Sequence, residues 1–240
     1  MPALRVSSTD LDAFRRFRED DGADLGLFLA QLRRRVPPTP AMIAGTALHA
    51  ALEHCLPGDH RALAARGHTF TFEAEGEIDL PEMREVKATR NYEIDGLTVT
   101  LVGKVDAMRG KRIDDHKLTG RFDPERYLSS VQWRAYLEIF EADEFRWNVF
   151  EGRAVAERTW IITGIHTLSA RRYPELGDDL LRQLAEFTAF ARIHLPERIG
   201  EPKAAPRQAS FLDSIDRPGG LVRLGSSARP VLAKASMLET

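Results

Sequence analysis

The stretch Val99–Leu118, VTLVGKVDAMRGKRIDDHKL, predicts a β-hairpin that carries both acidic and basic side chains. Residues two apart on a strand share a face, so we expect Asp115 and Lys117 to lie together. A carboxylate from each strand, Asp106 and Asp115, beside an ammonium group is a costly arrangement that a divalent metal ion would stabilise. The predicted first strand, turn and second strand are Val99–Met108, Arg109–Lys111 and Arg112–Leu118.

Blocks of helix and strand surround this hairpin. Apolar spacing predicts helices after Ser7-Ser8-Thr9-Asp10, over Asp24–Arg35, Ala41–Cys55 and Asp123–Phe140, and after Tyr173-Pro174. Strands are predicted over Thr69–Glu73, Glu85–Ile94, Phe145–Phe150 and Thr159–Leu168. This order predicts an α/β (α+β) fold with a central mixed sheet flanked by helices and a helical N-terminal region.

Three parts of the chain differ in character. We expect residues 1–60 to be a helical part that carries His49, and residues 61–200 to form the core. Residues 201–240 hold four prolines and one aromatic residue, Phe211. That composition predicts an extended or disordered tail that could bind a partner.

Composition narrows the function classes. The chain has 240 residues, 43% apolar and 29% charged, with a formal net charge of −2, so nucleic acid would be bound by a local basic patch rather than by bulk charge. Its single cysteine, Cys55, excludes an internal disulfide and a four-cysteine cluster. No apolar run has transmembrane length and the N-terminus lacks a signal-peptide core, so we expect a cytoplasmic protein without a membrane partner.

Four pieces of sequence carry the candidate chemistry. Asp106 and Asp115 suit Mg²⁺ or Mn²⁺, because both ions prefer oxygen ligands. Lys117 suits the attacking water or the phosphate oxygens of a phosphodiester. In chain order the pieces are His49 within Gly45–Glu53, Asp106 after Gly103, Asp115-His116-Lys117, and Gln132 with Tyr136.

The remaining members of this set have supporting roles. The backbone carbonyl of His116 is a candidate third metal ligand, since it lies between two residues directed at the site. His49 is a candidate further ligand, and imidazole suits Mn²⁺ better than Mg²⁺. Gln132 and Tyr136 are four apart on a predicted helix, so they share a face and could contact the substrate strand or Lys117.

The order His, Gly-x-x-Asp, Asp-x-Lys and Gln-x-x-x-Tyr resembles the PD-(D/E)XK nuclease superfamily, and its RecB-type and phage-exonuclease branch in particular. The resemblance covers roughly Ser7 to Tyr136. It implies a restriction-endonuclease-like core in which Asp106 and Asp115 bind metal, Lys117 is catalytic and His49 is an accessory ligand. It also implies a metal-dependent DNA exonuclease of recombination or repair, of the kind phages encode, with DNA as substrate and a single-strand annealing or recombination protein as candidate partner.

The sequence differs from the RecB-type pattern in two ways. Many RecB-type nucleases carry a four-cysteine iron–sulfur cluster, which this chain cannot form, and no helicase Gly-x-x-x-x-Gly-Lys-Ser/Thr motif occurs. The sequence therefore suggests a stand-alone nuclease. A structure-specific endonuclease and a non-catalytic DNA- or protein-binding scaffold are the alternatives, and oligomeric state is left open.

Each residue also has a plainer interpretation. Asp106 could end a strand, Lys117 could form a surface ion pair, and His49 could be an ordinary helix histidine. Trp133 and Tyr136 could be core aromatics. Five arginines near the N-terminus are either solvated helix ends or DNA phosphate contacts, namely Arg15, Arg16, Arg33, Arg34 and Arg35.

Overall fold

A mixed nine-stranded sheet organises the residues that the computed structural model describes, which are 1–58, 60–81 and 83–200. The helices are α1 (Ser8–Glu19), α2 (Leu25–Leu32), α3 (Pro40–His54), α4 (Pro124–Leu128), α5 (Gln132–Ile139) and α6 (Leu176–His194), with a 3₁₀ turn at Pro196–Arg198. The strands are β1 (Ala3–Ser7), β2 (Ala62–Ala65), β3 (His68–Phe72), β4 (Met83–Ile94), β5 (Leu97–Arg109), β6 (Arg112–Thr119), β7 (Glu144–Ala156), β8 (Thr159–Arg171) and β9 (Ile199–Gly200).

Parallel and antiparallel pairs mix in this sheet. The strand order is β2-β3-β8-β7-β6-β5-β1-β9, and β4 pairs with β5. The parallel pairs are β1 with β5, β3 with β8 and β6 with β7, while the other neighbours run antiparallel. The predicted α/β fold with a central mixed sheet flanked by helices is therefore confirmed.

Two apolar cores cover the sheet. On β7, Trp147 and Val149 belong to the larger core, which α1, α5 and α6 complete, whereas Phe150 belongs to a smaller core with Leu48 and Leu52 of α3. Adjacent strand residues point to opposite faces. The helices α1, α5 and α6 thus lie on one face of the sheet and α3 on the other.

The structure corrects several predicted boundaries. The N-terminal region is mostly helical, but it begins with β1, which the sequence analysis missed, as it missed β2. The single predicted helix over Asp123–Phe140 is two helices, α4 and α5. The tail predicted for residues 201–240 lies outside the described residues. Among the described helices, none is both long and apolar enough to cross a bilayer.

Candidate active site

Helix α3 forms one wall of the site. The Thr39 side chain caps its N-terminus by accepting a hydrogen bond from the Met42 N–H, and Pro40 occupies the first turn. Leu48 and Leu52 face the smaller core. The side of the helix that carries His49 is left to line a cleft of about 630 Å³.

Strands β5 and β6 separate where the site begins. Their ladder ends at Ala107 paired with Asp114, immediately before Asp106 and Asp115. In place of a ladder bond, the Asp106 carboxylate Oδ2 accepts a hydrogen bond from the His116 N–H at 2.8 Å. The separation of the two strands therefore gives the Asp106 side chain access to both β6 and α3.

Asp115 and Lys117 share one face of β6, as the sequence predicted. The Lys117 Nζ lies 2.9 Å from Asp115 Oδ1 and 2.7 Å from Oδ2. In the β6–β7 register Asp115 is opposite Trp147 and Lys117 opposite Val149, which places both on the larger-core face. Burial lowers the pKa of Lys117, but the charges of Asp115 and Asp106 outweigh it and hold that pKa above its usual value. Lys117 is therefore an ammonium ion at neutral pH.

Asp114, which the face argument separates from Lys117, does not line the cleft. Its fully buried carboxylate accepts hydrogen bonds from Arg112 Nε at 3.0 Å, from Arg146 Nε and from the Asn148 amide at 3.3 Å. Asp79 bridges the same two arginines. Asp114 thus belongs to a structural ion-pair network.

His49 reaches the site from the opposite face of the sheet. Its Nδ1 lies 3.2 Å from Asp106 Oδ1. Burial lowers the pKa of His49, yet the hydrogen bond to Asp106 and the charge of that residue raise it above its ordinary value. For Asp106 burial raises the pKa, but the contacts with His49 prevail and hold it well below its usual range.

One carboxylate oxygen at this point has acceptor capacity to spare. Asp115 Oδ2 is buried and has no hydrogen bond of good geometry among the described residues, although the Lys117 ammonium is close. Burial, followed by repulsion from Asp106, raises the pKa of Asp115. A divalent cation bound by Asp106 and Asp115 would relieve both costs, so the donor set fits the metal that the sequence predicts.

The candidate ligand set is open. The described residues contain no cluster of three or more His, Cys, Asp or Glu side chains arranged around a metal position. Mg²⁺ usually keeps several waters and is bound through one or two carboxylates plus substrate phosphates. The His116 carbonyl stays a predicted ligand. The buried His116 ring is neutral near pH 7, because burial lowers its pKa to about 4.

Gln132 and Tyr136 lie behind the carboxylates on α5. Gln132 Nε2 donates to the Tyr136 hydroxyl at 3.2 Å, so its contact is with Tyr136 rather than with Lys117. Burial raises the pKa of Tyr136, and the charge of Asp115 raises it further. The phenol is therefore close enough to Asp115 to feel its charge. Gly103 allows α5 to approach, since a Cβ there would lie 3.0 Å from Ile139 and 3.1 Å from Tyr136.

Sequence reasoning missed several cleft residues. Two exposed arginines line the cleft without a carboxylate partner among the described residues, Arg66 in the β2–β3 turn and Arg126 on α4. Glu85, for which the sequence left a place at the site and a place on the surface equally open, also lines the cleft. It pairs with Lys104 and has a left-handed backbone with φ of 57° at a gap in the β4–β5 ladder. Such strain in a glutamate often marks a functional position, but it has no signature in a single sequence.

The five predicted DNA-binding arginines are not brought to the cleft. None of them lines it, and four pair with carboxylates elsewhere. The pairs are Arg15–Glu19, Arg16–Asp12, Arg33–Glu197 and Arg34–Asp10. Their contact with DNA stays a prediction.

Comparison with known proteins gives distant structural likenesses. No family model matches the sequence, and no curated protein matches it significantly. SSO0001 is 17% identical, with 78% of this chain and 76% of that chain covered and a TM-score of 0.47. A candidate exonuclease from Eubacterium rectale is 10% identical, with coverages of 94% and 90% and a TM-score of 0.48.

An alkaline exonuclease from Laribacter hongkongensis is a further likeness. It is 12% identical, with 80% of this chain and 90% of that chain covered and a TM-score of 0.39. The same enzyme in complex with dAMP gives a TM-score of 0.40. All of these scores lie below 0.5, so the case for function rests on the residues of the site.

Proposed function

We propose that this protein is a Mg²⁺- or Mn²⁺-dependent deoxyribonuclease, with an exonuclease of DNA recombination or repair as the leading form. The observation that carries the proposal is the convergence of Asp106, Asp115 and Lys117 at the point where β5 and β6 separate. Asp106 and the protonated Lys117 line the cleft, and the buried Asp115 contacts Lys117. Two carboxylates and an ammonium group in this arrangement suit hydrolysis of a negatively charged diester.

Each side chain at this centre would have a different role. Asp106 and Asp115 would hold the cation, with His49 as an accessory ligand once it gives up its proton. When bound, the cation supplies charge neutralisation at the scissile phosphate and lowers the pKa of a water molecule. Lys117 donates hydrogen bonds to a phosphate oxygen or to the attacking water, because it keeps its proton. Tyr136, steadied by Gln132, borders Asp115 on the α5 side.

The cleft supplies substrate contacts on two sides of this centre. Arg66 and Arg126 present guanidinium groups that suit phosphate oxygens. Met42 and Gly45 on α3 add an uncharged wall. A nucleic acid strand is therefore a better match for the cleft than a small charged metabolite.

The test is a time course on 5′- and 3′-end-labelled linear duplex DNA with Mg²⁺ and with EDTA. We expect divalent-cation-dependent release of nucleotides, reduced at least about 10²-fold in Lys117→Ala. Lys111→Ala is the matched control, since Lys111 lies in the turn of the same hairpin with a 70% exposed side chain. Equal digestion by Lys117→Ala, purified free of host nucleases, would refute the assignment.

Two further measurements separate the alternatives. Covalently closed circular DNA is resistant to an exonuclease and is cut by an endonuclease. Calorimetric titration with Mn²⁺ distinguishes an enzyme from a scaffold, because a scaffold that binds DNA without binding the cation would show no heat of metal binding.

A further inference from the structure

A second cavity lies among the helices on the larger-core face of the sheet. Its volume is about 300 Å³, roughly ten times the share of one water molecule in the liquid. We call it the helical cavity. It is lined by Arg15 of α1, by Ser129, Val131 and Arg134 of the α4–α5 segment, and by Asp179, Leu180, Arg182 and Gln183 of α6.

Positive charge dominates the lining of the helical cavity. Three guanidinium groups, those of Arg15, Arg134 and Arg182, face one carboxylate, that of Asp179. Asp179 is already engaged, since it accepts hydrogen bonds from the Tyr173 hydroxyl at 2.6 Å and from Arg182 at 3.0 Å. Arg182 thus balances Asp179 and Arg15 pairs with Glu19, whereas Arg134 has no carboxylate partner among the described residues.

Arg15 has an unused donor. Its side chain is only 14% exposed, and its buried Nε has no hydrogen-bond partner among the described residues. Asp12 Oδ1 lies 3.6 Å away, which is too far for a hydrogen bond, while the terminal nitrogen of Arg15 pairs with Glu19. A buried donor left unpaired is costly unless something else accepts from it.

Arg134 is held in place by three contacts. Its Nε donates to the Tyr173 hydroxyl at 3.2 Å, one terminal nitrogen donates to the Ser130 carbonyl at 2.9 Å, and its guanidinium lies 4.5 Å from the Trp133 ring centroid. A guanidinium fixed in this way loses little side-chain entropy when it binds an anion.

We propose that the helical cavity binds a phosphate group. Planar arginine forks match phosphate oxygens, and the size of the cavity admits a phosphate with a sugar or base attached. The phosphate could belong to a DNA strand or to a free phosphate or nucleotide. The site is separate from the metal centre, because Arg134 points away from the face of α5 that carries Gln132 and Tyr136.

The test titrates sodium phosphate into the full-length, EDTA-treated protein by calorimetry at constant ionic strength. Removing divalent cations abolishes phosphate binding through a metal ion, and the variants of the helical cavity distinguish its binding from binding by the cleft cations, so this result does not depend on the nuclease proposal. We expect saturable binding that weakens about tenfold or more in Arg134→Gln, which removes the guanidinium without a carboxylate partner, and in Arg182→Gln, which leaves the Asp179 carboxylate unbalanced in the cavity. Arg153→Gln is the control, because Arg153 is exposed on β7 and does not line the cavity.

Arg182→Gln keeps the test decisive if Arg134→Gln does not fold, since the Arg182 side chain is 69% exposed. Absence of saturable binding to the folded wild-type protein, or wild-type affinity in Arg182→Gln, would overturn the proposal. A second measurement identifies the source of the phosphate. It follows the binding of a labelled single-stranded oligonucleotide by fluorescence anisotropy in the presence of EDTA. Competition by phosphate and loss in the same variants would identify a DNA phosphate, whereas phosphate binding without an effect on the oligonucleotide would identify a free anion.

Discussion

Asp114 and Asp115 are neighbours on β6 with opposite surroundings, so their amide variants should behave differently. Asp114→Asn removes the charge on which Arg112 and Arg146 converge, and we expect it to cost about 3 kcal/mol or more of unfolding free energy. Asp115→Asn removes the ion pair with Lys117, but it also removes a carboxylate that burial and Asp106 disfavour, and Asp106 still attracts the Lys117 ammonium. It should therefore cost less stability than Asp114→Asn but abolish Mn²⁺ binding. Urea denaturation and Mn²⁺ calorimetry measure the two effects, and loss of metal affinity in folded Asp114→Asn instead would contradict the assignment.

The His49–Asp106 contact makes a second prediction at this scale. Because Asp106 raises the pKa of His49 against the effect of burial, Asp106→Asn should lower it below the wild-type value. In the wild type the contact stabilises the folded state below pH about 6.5, and that contribution is lost as pH rises through the folded pKa. NMR titration of the His49 ring in EDTA-treated wild-type and Asp106→Asn protein tests this. An unchanged His49 pKa in Asp106→Asn would disprove the coupling.

Packing between β5 and α5 determines how the elements meet at the site. Gly103→Val would press a branched side chain against Ile139, Phe140 and Tyr136, so we expect a loss of about 1–3 kcal/mol in unfolding free energy. Gly45→Ala is the contrasting change, since a Cβ there meets nothing within 4 Å. That helix position should gain about 0.5–1 kcal/mol. Urea denaturation of both variants checks the signs, and a Gly103→Val protein as stable as wild type would contradict the packing argument.

Elements with a strong local pattern were predictable, and elements defined by distant partners were not. The alternation of apolar and polar residues predicted β5, and the apolar spacing predicted α3. The sequence therefore identified the strand and the helix that carry Asp106 and His49. The small residues of the segment Gly45–Glu53 also suggest close packing by another backbone, but at Gly45 this is wrong, because its position faces the open cleft. Strand β1 is five residues long and pairs in parallel with β5 some 95 positions away, so nothing nearby in the sequence reveals it.

Residues of the candidate site were likewise predictable only where they lie close together in the sequence. Asp106, Asp115 and Lys117 could be grouped because one hairpin carries them, and the two-residue period separated Asp115 from Asp114. Arg66 and Arg126 could not be grouped, since they come from a turn and a short helix that only the complete fold brings to one cleft. The runs of arginines near the N-terminus are easier to recognise in the sequence as candidate phosphate contacts than Arg66 and Arg126 are. Four of those five arginines nevertheless form ion pairs, among them Arg15 with a carboxylate of α1 and Arg33 with one of the 3₁₀ turn after α6.

At the scale of the whole molecule, charge is divided unevenly along the chain. Residues 203–240 hold six basic and three acidic residues, so residues 1–202 carry a net charge of −5. The bulk field of that larger part opposes DNA, and binding there must come from local contacts in the cleft. This predicts an affinity for DNA that depends on a few cationic side chains in the cleft rather than on the total charge of the protein.

The double variant Arg66→Ala/Arg126→Ala tests that prediction. Removing two phosphate contacts should lower the slope of log K against log salt by about 1.4 for single-stranded DNA or about 1.8 for duplex. Fluorescence anisotropy with Ca²⁺ in place of Mg²⁺, over a series of salt concentrations, gives the slope. The control Arg217→Ala/Arg223→Ala/Arg229→Ala removes three positive charges from the sequence 203–240, one more than the double variant removes. If the control lowers the slope more than the double variant does, total charge governs DNA binding and the cleft arginines are not its phosphate contacts.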